Sequence, residues 1–235
     1  MTPDEQKKAA AEAALSYVKS GMLLGLGTGS TAKHFVDGVG RLVQEGYELL
    51  CVPTSEVTRT QAESLGIPLT TLDANPELDL CIDGADELDD HLNLIKGGGG
   101  ALLREKIVAT SSHEMIVIAD GSKHVRQLGA FALPVEVVPF GLAATQWKIE
   151  RALDTCGCTG PLTLRQRNGK TFVTDNGNLI IDCALGQISD APMLATYLSM
   201  TPGVVDHGLF IGIATRAIIA SVDGIKVIEH SHEHV

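Results

Sequence analysis

Three groups of residues in this chain have types and spacings that could do chemistry. The first is the run Gly25-Leu26-Gly27-Thr28-Gly29-Ser30-Thr31, which lies between a short apolar segment and a helical pattern. Glycines let the backbone approach an anion, and successive N–H groups, a helix N-terminus and nearby hydroxyls can donate hydrogen bonds to it. The run therefore predicts a phosphate site, with a glycine turn that binds no ligand as the alternative.

The same run is an imperfect dinucleotide motif. Ser30 occupies the third glycine position of that motif, and Ala32 occupies it if the motif is read from Gly27. The next apolar segment ends in Val52-Pro53-Thr54-Ser55 and lacks the acidic residue that would bind a ribose 2′-hydroxyl. The pattern thus favours a phosphate site over an NAD site.

The second group, Asp83-Gly84-Ala85-Asp86-Glu87, follows the apolar run Leu78–Ile82. Open α/β sheets place their ligands at the carboxyl ends of strands. The carboxylates could hold a metal ion, bind sugar hydroxyls or form an ordinary acidic loop. His91 is isolated and no Cys or His stands beside them at ligand spacing, so we expect hydroxyl binding and no metal.

The third group is Lys96-Gly97-Gly98-Gly99-Gly100, followed by a helical pattern that contains Glu105. Four glycines lose much backbone entropy on folding, which is hard to justify unless a ligand or another backbone must approach closely. A helix starting after them would direct its free N–H groups at that ligand. Glu105 alone could be a surface carboxylate, but two glycine-rich helix starts and one acidic strand end can converge at one sheet edge.

The elements that must position these groups alternate between strand and helix. Thr2-Pro3-Asp4-Glu5 has the form of a helix start, and a helix also follows each glycine-rich run. Continuous apolar strands that alternate with helices predict an α/β fold, with a parallel sheet covered on both faces. The predicted strands are Met22–Leu26, Leu49–Val52, Ile67–Leu72, Leu78–Ile82 and Met115–Ala119, and predicted helices include Glu56–Leu65 and Ala101–Thr110.

The pattern changes after Gly129. Helices are predicted at Leu142–Leu153 and Met193–Met200, and a β-hairpin is predicted in which Thr171–Thr174 pairs with Leu179–Cys183 around Asp175-Asn176-Gly177. We therefore expect a small α+β domain at residues 130–204, inserted into a catalytic domain of residues 1–129 and 205–235. The strands that we expect to return to the first sheet are Leu209–Ile213, Ala217–Ala220 and Val227–Ile228.

Composition excludes several classes of protein. The 235 residues carry 18 Lys and Arg against 29 Asp and Glu, a formal net charge of −11. A nucleic-acid binder would show the opposite excess, and a disordered acidic chain would not be 44% hydrophobic. No signal-peptide pattern or membrane-length apolar run is present, so we expect a cytoplasmic protein without a membrane partner. Cys156-Gly157-Cys158 is weak evidence for a metal or redox pair, and the terminal His230-Ser231-His232-Glu233-His234 is expected to be a solvated tail.

Taken together, the motifs resemble the A type of ribose-5-phosphate isomerase. The resemblance covers nearly the whole chain and includes three further segments: Pro134-Val135-Glu136-Val137, Thr174-Asp175-Asn176-Gly177-Asn178, and Pro202-Gly203-Val204-Val205 before Gly208-Leu209-Phe210. It implies a Rossmann-like domain with a smaller ferredoxin-like α+β domain, usually assembled as a homodimer or larger homo-oligomer. It also implies cofactor-free interconversion of D-ribose 5-phosphate and D-ribulose 5-phosphate, in the non-oxidative branch of the pentose phosphate pathway.

The resemblance further implies a role for each matching residue. Glu105 takes the position of the general base for an enediolate mechanism, Asp83, Asp86 and Lys96 act on the reacting sugar, and either aspartate could assist ring opening. The implied substrate-binding residues are Lys7, Thr28, Gly29, Ser30, Thr31, Asp83, Gly84, Ala85, Asp86, Lys96, Gly97, Gly98, Gly99 and Lys123. Two alternatives remain at this point: a nucleotide- or coenzyme-A-dependent enzyme, and a sensor that binds sugar phosphates without turnover.

Overall fold

A computed structural model describes residues 1–229 of the chain. The terminal segment with the three histidines, predicted above to be a solvated tail, lies outside the described residues. The strands are β1 Leu23–Leu26, β2 Leu50–Pro53, β3 Leu78–Gly84, β4 Glu87–Leu88, β5 Leu94–Ile95, β6 Ser112–Asp120, β7 Leu133–Val137, β8 Leu162–Leu164, β9 Gln166–Arg167, β10 Lys170–Thr171, β11 Leu179–Cys183, β12 Val204–His207, β13 Leu209–Phe210, β14 Arg216–Ser221 and β15 Gly224–Glu229.

The helices follow the predicted starts closely. Thr2 forms the predicted capping box with Glu5, and Pro3 takes the first helical position. The α-helices are α1 Pro3–Ala14, α2 Ser30–Gln44, α3 Glu56–Ser64, α4 Leu102–Thr110, α5 Leu142–Thr155 and α6 Ala191–Ser199, with 3₁₀ turns at Leu15–Tyr17 and Gly121–Lys123. Among residues 1–229, no helix is both long and apolar enough to cross a membrane.

The main sheet has six strands in the order β15-β14-β6-β3-β1-β2. All neighbours pair in parallel except β15, which runs antiparallel to β14 at one edge, so the predicted α/β sheet has one antiparallel edge strand. Successive residues of its central strands pack into two separate cores. Leu80 and Ile82 contact the layer that contains α1 and α2, while Cys81 contacts the layer that contains α4.

The smaller sheet has four strands in the order β12-β7-β11-β8, and every neighbouring pair is antiparallel. With α5 after β7 and α6 after β11, the chain order is β-α-β-β-α-β, which is the ferredoxin-like arrangement. The domain limits proposed above remain a prediction. The strand β12, at residues 204–207, pairs with β7 and so belongs to the smaller sheet.

Three strand predictions were wrong. The segment 67–72 forms only a single bridge, between Leu69 and Cys51, because the chain around Pro68 follows the edge of β2 without a continuing ladder. The turn after Thr174 forms, but β11 pairs with β7 and β8 instead of residues 171–174. Finally, β13 pairs with β5 in a separate three-stranded sheet, and only β14 and β15 return to the main sheet.

Candidate active site

One cleft brings together nearly all the residues that the sequence singled out. It lies where β1 and β3 end, at the carboxyl edge of the main sheet, as expected for an open α/β fold. Asp83 is fully buried beneath this cleft. The residues that line it are Lys7, Thr28, Gly29, Ser30, Thr31, Gly84, Ala85, Asp86, Lys96, Gly97, Gly98, Gly99, Glu105 and Lys123.

The N-terminus of α2 faces this cleft. Gly29 precedes the helix with φ of +113°, a conformation that favours glycine, and no side chain caps the helix there. The N–H groups of its first turn, including those of Ser30 and Thr31, therefore lack intrahelical acceptors. The dipole of this 15-residue helix adds positive potential at the same end, so the N-terminus of α2 favours binding of an anion.

A hydroxyl network fixes the loop between β1 and α2. Thr28 Oγ1 lies 2.7 Å from Thr54 Oγ1, donates to Ser55 Oγ at 2.8 Å and lies 3.1 Å from Thr58 Oγ1. The Thr58 hydroxyl in turn donates to the Gly27 carbonyl. The Thr28 side chain thus binds the loop after β2, although the sequence had suggested only a ligand role. The run Thr54-Ser55 at the next strand end was the overlooked signal, since adjacent parallel strands end at one edge.

Two lysines reach the cleft from other elements. Lys7 lies on α1, and Lys123 ends the 3₁₀ turn after β6. The Gln6 side chain accepts a hydrogen bond from the Gly121 N–H, which links the two elements. Within residues 1–229 neither ammonium group lies within 4.0 Å of a carboxylate oxygen. Both charges are therefore available to an anion at the α2 N-terminus.

Asp83 lies beneath the cleft and contacts three of the residues that line it. Its Oδ1 accepts hydrogen bonds from the N–H groups of Thr28 at 3.0 Å and Gly84 at 2.7 Å. Its Oδ2 lies 3.0 Å from Lys96 Nζ. A Cβ at Gly27 would lie only 2.2 Å from Asp83 Oδ1, so the glycine is required for this close approach. Gly25, by contrast, packs against Val108 of α4 and does not face the cleft.

Lys96 is 2% exposed, so its ammonium group depends on protein partners. Its Nζ donates to the Gly84 carbonyl at 2.6 Å and to Glu105 Oε1 at 3.2 Å, in addition to the contact with Asp83. It also lies 5.5 Å from the ring centre of Phe210, within the range of a cation–π interaction. Burial lowers the pKa of Lys96, but the two carboxylates more than offset this and hold its pKa above the ordinary value.

Glu105 is buried in the first turn of α4. Burial raises its pKa to about 8, and the attraction of Lys96 only partly offsets that increase. The offset is only partial because the single ammonium group of Lys96 is shared between two carboxylates, those of Asp83 and Glu105. Asp83 also receives two backbone N–H groups, whereas Glu105 Oε2 has no hydrogen-bond partner among the described residues. Glu105 is therefore a carboxyl group that can exchange a proton near neutral pH.

The glycine loop completes the cleft. The Gly98 N–H donates to Asp86 Oδ2 at 2.7 Å, and a Cβ at Gly98 would lie 2.6 Å from Asp86 Oδ1. Gly97 and Gly100 have φ of +107° and +86°, and the Gly100 N–H closes the turn onto the Gly97 carbonyl. The N–H groups of Gly97 and Gly99 have no acceptor within residues 1–229. They are available to the oxygen atoms of a bound molecule.

Other candidate groups lie apart from this cleft. The thiols of Cys156 and Cys158 are free and buried in the apolar core that packs against the smaller sheet. His91 is exposed near α6. Among the described residues, no group of three or more His, Cys, Asp or Glu side chains is arranged to hold a metal ion.

Comparisons with known proteins agree on one family. The model of the family "Ribose 5-phosphate isomerase A (phosphoriboisomerase A)" matches residues 50–224. Ribose-5-phosphate isomerase A from Rhodopseudomonas palustris (strain TIE-1) is 58% identical over 232 residues, covering 98% of this chain and 100% of the relative. The corresponding protein from Parvibaculum lavamentivorans is 58% identical over 230 residues, covering 97% and 100%.

Solved structures are similarly close over the full length. Ribose 5-phosphate isomerase from Plasmodium falciparum superposes with a TM-score of 0.92 at 42% identity, covering 97% of this chain and 100% of that one. A D-ribose-5-phosphate isomerase in complex with phospho-erythronic acid has a TM-score of 0.90 at 36% identity, with the same coverage of 97% and 100%. The similarity therefore extends over both the main sheet and the smaller sheet of this chain.

Proposed function

The chain belongs to the ribose 5-phosphate isomerase A family and is an isomerase, and we propose that it interconverts D-ribose 5-phosphate and D-ribulose 5-phosphate through an enediolate. The observation that carries the proposed mechanism is the Glu105 carboxyl, buried at the cleft beside Lys96, with one oxygen unpartnered. Moving a carbonyl between C1 and C2 requires a base that removes a proton from the carbon next to the carbonyl.

Glu105 takes the C2 proton and returns it to C1. The pKa near 8 places the carboxyl close to the working pH, where a base can both accept and release a proton efficiently. Its Oε1 is held by Lys96, which leaves Oε2 as the oxygen that receives the proton. A positioned base of this kind contributes about 10²–10⁴-fold to the rate.

Lys96 and the free N–H groups of Gly97 and Gly99 stabilise the enediolate oxygens. Donors fixed in a water-poor site act most strongly where charge develops in the transition state. Lys96 is almost fully buried and held by three oxygen atoms, so little reorganisation is needed when the substrate oxygen becomes negative. The geometry supports this role for the ammonium group.

The N-terminus of α2, with Lys7 and Lys123, holds the phosphate. Ser30 and Thr31 supply hydroxyls besides their N–H groups, and neither hydroxyl has a hydrogen-bond partner within residues 1–229. The net charge of −11 opposes the approach of a dianion, so binding depends on these short-range donors. Because the phosphate lies away from C1 and C2, its binding energy favours phosphorylated sugars over free ribose.

Asp86 assists opening of the sugar ring. Asp86 lines the cleft, while Asp83 is fully buried behind Gly27, accepts two backbone N–H groups and is ion-paired with Lys96. The Gly98 N–H orients the Asp86 carboxylate without covering it. Of the two aspartates, Asp86 is the one that can reach a ring oxygen or hydroxyl, and Asp83 acts by holding Lys96.

The phospho-erythronic acid bound to one solved relative supports the enediolate proposal. This four-carbon acid carries a planar carboxylate, whose two oxygens correspond to the two oxygens of an enediolate formed from a five-carbon sugar phosphate. Molecules that resemble a transition state bind more tightly than the substrate. We expect phospho-erythronic acid to compete with ribose 5-phosphate in this protein.

The remaining parts of the proposal follow from the family resemblance. The chain forms a homodimer or a larger homo-oligomer, acts in the cytoplasm and serves the non-oxidative branch of the pentose phosphate pathway. Apolar side chains exposed beside the groove between α6 and β12, among them Met200 at 69% and Val205 at 37%, support self-association. Light scattering coupled to size-exclusion chromatography tests this state, and a monomer at micromolar concentration would contradict it.

The reaction is tested with dialysed protein, EDTA and no added cofactor. In D₂O, the proton that the base has taken from the sugar exchanges with solvent during the lifetime of the enediolate, so deuterium should appear at C2 of ribose 5-phosphate or C1 of ribulose 5-phosphate by NMR. Free D-ribose should show neither turnover nor exchange under the same conditions. Turnover that introduces no solvent deuterium even after prolonged equilibration would favour a hydride shift and contradict the mechanism, and no turnover at all would contradict the activity.

A further inference from the structure

Arg165 of the smaller domain contacts the glycine loop of the catalytic cleft. It lies between β8 and β9, and its side chain is 12% exposed. Two of its guanidinium nitrogens, Nε and Nη2, donate to the two oxygens of Asp182 at 2.9 and 2.5 Å. The remaining nitrogen, Nη1, donates to the Gly97 carbonyl at 2.8 Å and to the Gly98 carbonyl at 3.3 Å.

These two contacts determine where the neighbouring N–H groups point. All peptide bonds in the described chain are trans, so each carbonyl points away from the N–H of the following residue. With the Gly97 carbonyl turned to Arg165, the Gly98 N–H points the other way and donates to Asp86. With the Gly98 carbonyl turned to Arg165, the unpaired Gly99 N–H likewise points away from the arginine, in the loop that lines the cleft.

We propose that Arg165 is a positioning residue for the isomerase reaction, because it orients the two peptide groups that hold Asp86 and present the Gly99 N–H. The inference rests on the function proposed above. Glycines have no side chain to hold a peptide plane and adopt both signs of φ readily, so an external anchor is needed. The guanidinium group of Arg165, itself held by Asp182, anchors these peptide groups from the smaller sheet.

Arg167 offers a matched comparison on the same loop. It is exposed, stacks on Phe172 and makes one contact of 3.3 Å with the loop, to the Gly99 carbonyl. The peptide group between Gly99 and Gly100 is already fixed by the turn bond from Gly100 to Gly97. Losing the Arg167 contact should therefore leave the orientation of the loop unchanged.

The experiment compares Arg165→Lys with Arg167→Lys in the full-length protein. A lysine keeps the charge beside Asp182 but cannot contact the carboxylate and both carbonyls at once. We expect kcat for ribose 5-phosphate to fall about 10²-fold in Arg165→Lys, the size of effect that follows misplacement of catalytic groups by roughly 1 Å. We expect Arg167→Lys to change kcat by less than about threefold, since it removes no contact made to the transition state.

Two further readouts separate positioning from general stabilisation. Inhibition by inorganic phosphate should be unchanged in Arg165→Lys, because the α2 N-terminus does not contact this arginine. In Arg165→Ala, guanidinium chloride at concentrations too low to denature should restore part of kcat by occupying the space beside Asp182. A structural role alone would lower the unfolding temperature without any rescue of kcat.

The inference is overturned if Arg165→Lys folds and matches Arg167→Lys in kcat, or if guanidinium does not raise kcat in folded Arg165→Ala. If neither Arg165 variant folds, Asp182→Asn becomes the test, because it keeps Arg165 but loosens its fork. It should then lower kcat while phosphate inhibition stays unchanged, and an unaltered kcat would overturn the inference. Absence of isomerisation by the wild-type protein would instead contradict the proposed function.

Discussion

The raised pKa of Glu105 predicts how the rate depends on pH and how it responds to Glu105→Gln. A general base must be unprotonated in the free enzyme, so kcat/KM should rise as pH rises through the pKa of Glu105. In Glu105→Gln, the amide keeps the shape of the side chain and an oxygen for Lys96 but cannot accept the proton. We expect kcat to fall by about 10²–10⁴-fold while KM changes little, because phosphate contacts are preserved.

The size of the pH effect follows from the pKa of about 8. At that value about a tenth of the carboxyl is ionised at pH 7 and about half at pH 8, so kcat/KM should rise about fivefold over that unit. The substrate phosphate has its second pKa near 6 and is almost fully a dianion above pH 7, so it adds little to the increase. A glutamate with its ordinary pKa of 4.5 would give a flat profile over this range.

The assay measures initial rates for ribose 5-phosphate from pH 7 to 9 at constant ionic strength. Glu63→Gln is the matched control, because Glu63 is an exposed carboxylate on α3 and its loss should leave the profile unchanged. The reasoning is refuted if wild-type kcat/KM is flat between pH 7 and 8.5. Near-normal kcat in Glu105→Gln would remove Glu105 from the role of base.

The same raised pKa has a consequence for stability. The pKa of Glu105 is about 8 in the folded state and 4.5 in its ordinary environment, so the folded state binds this proton more tightly than the unfolded state. The resulting contribution to the free energy of unfolding is complete below pH 4.5 and is lost as pH rises toward 8. The free energy of unfolding of wild type minus that of Glu105→Gln should therefore decline between pH 5 and pH 8.5. Urea titrations of both proteins at each pH measure it, and a difference that increases with pH would contradict the burial argument.

Three further perturbations test the rest of the site. Lys96→Met leaves two buried carboxylates without their ammonium group, so urea unfolding at pH 7 should show a loss of about 3 kcal/mol, and a loss below about 1 kcal/mol would contradict the pairing. Gly100→Ala should lower the unfolding temperature and kcat, because φ is +86° and the new Cβ would lie 2.4 Å from Phe172; an unchanged kcat would show that the loop adapts. Ser30→Ala combined with Thr31→Ala should chiefly raise KM and weaken inhibition by phosphate, and an unchanged KM would argue against phosphate binding at α2.

The features that could be predicted from the sequence depend on residues that are close together in the chain. The capping box at Thr2, the alternation of apolar strands with helices and the two glycine-rich runs depend on neighbouring residues, and the elements form where these patterns stand. The rule that parallel strands end at one edge then brings Asp83, Asp86 and Glu105 together. The errors concern strand pairing, as for segment 67–72, because a partner strand is chosen by packing between distant segments.

The sequence by itself determined the fold class, the family resemblance and the types of residue at the cleft, since these depend on local pattern and residue chemistry. Only the tertiary structure decided how those residues share charge and hydrogen bonds. It places one ammonium group between Asp83 and Glu105, joins the Thr28 hydroxyl to the loop after β2, and brings Arg165 from the smaller sheet to the glycine loop. Burial and long-range pairing set these properties, and both arise from contacts between residues far apart in the chain.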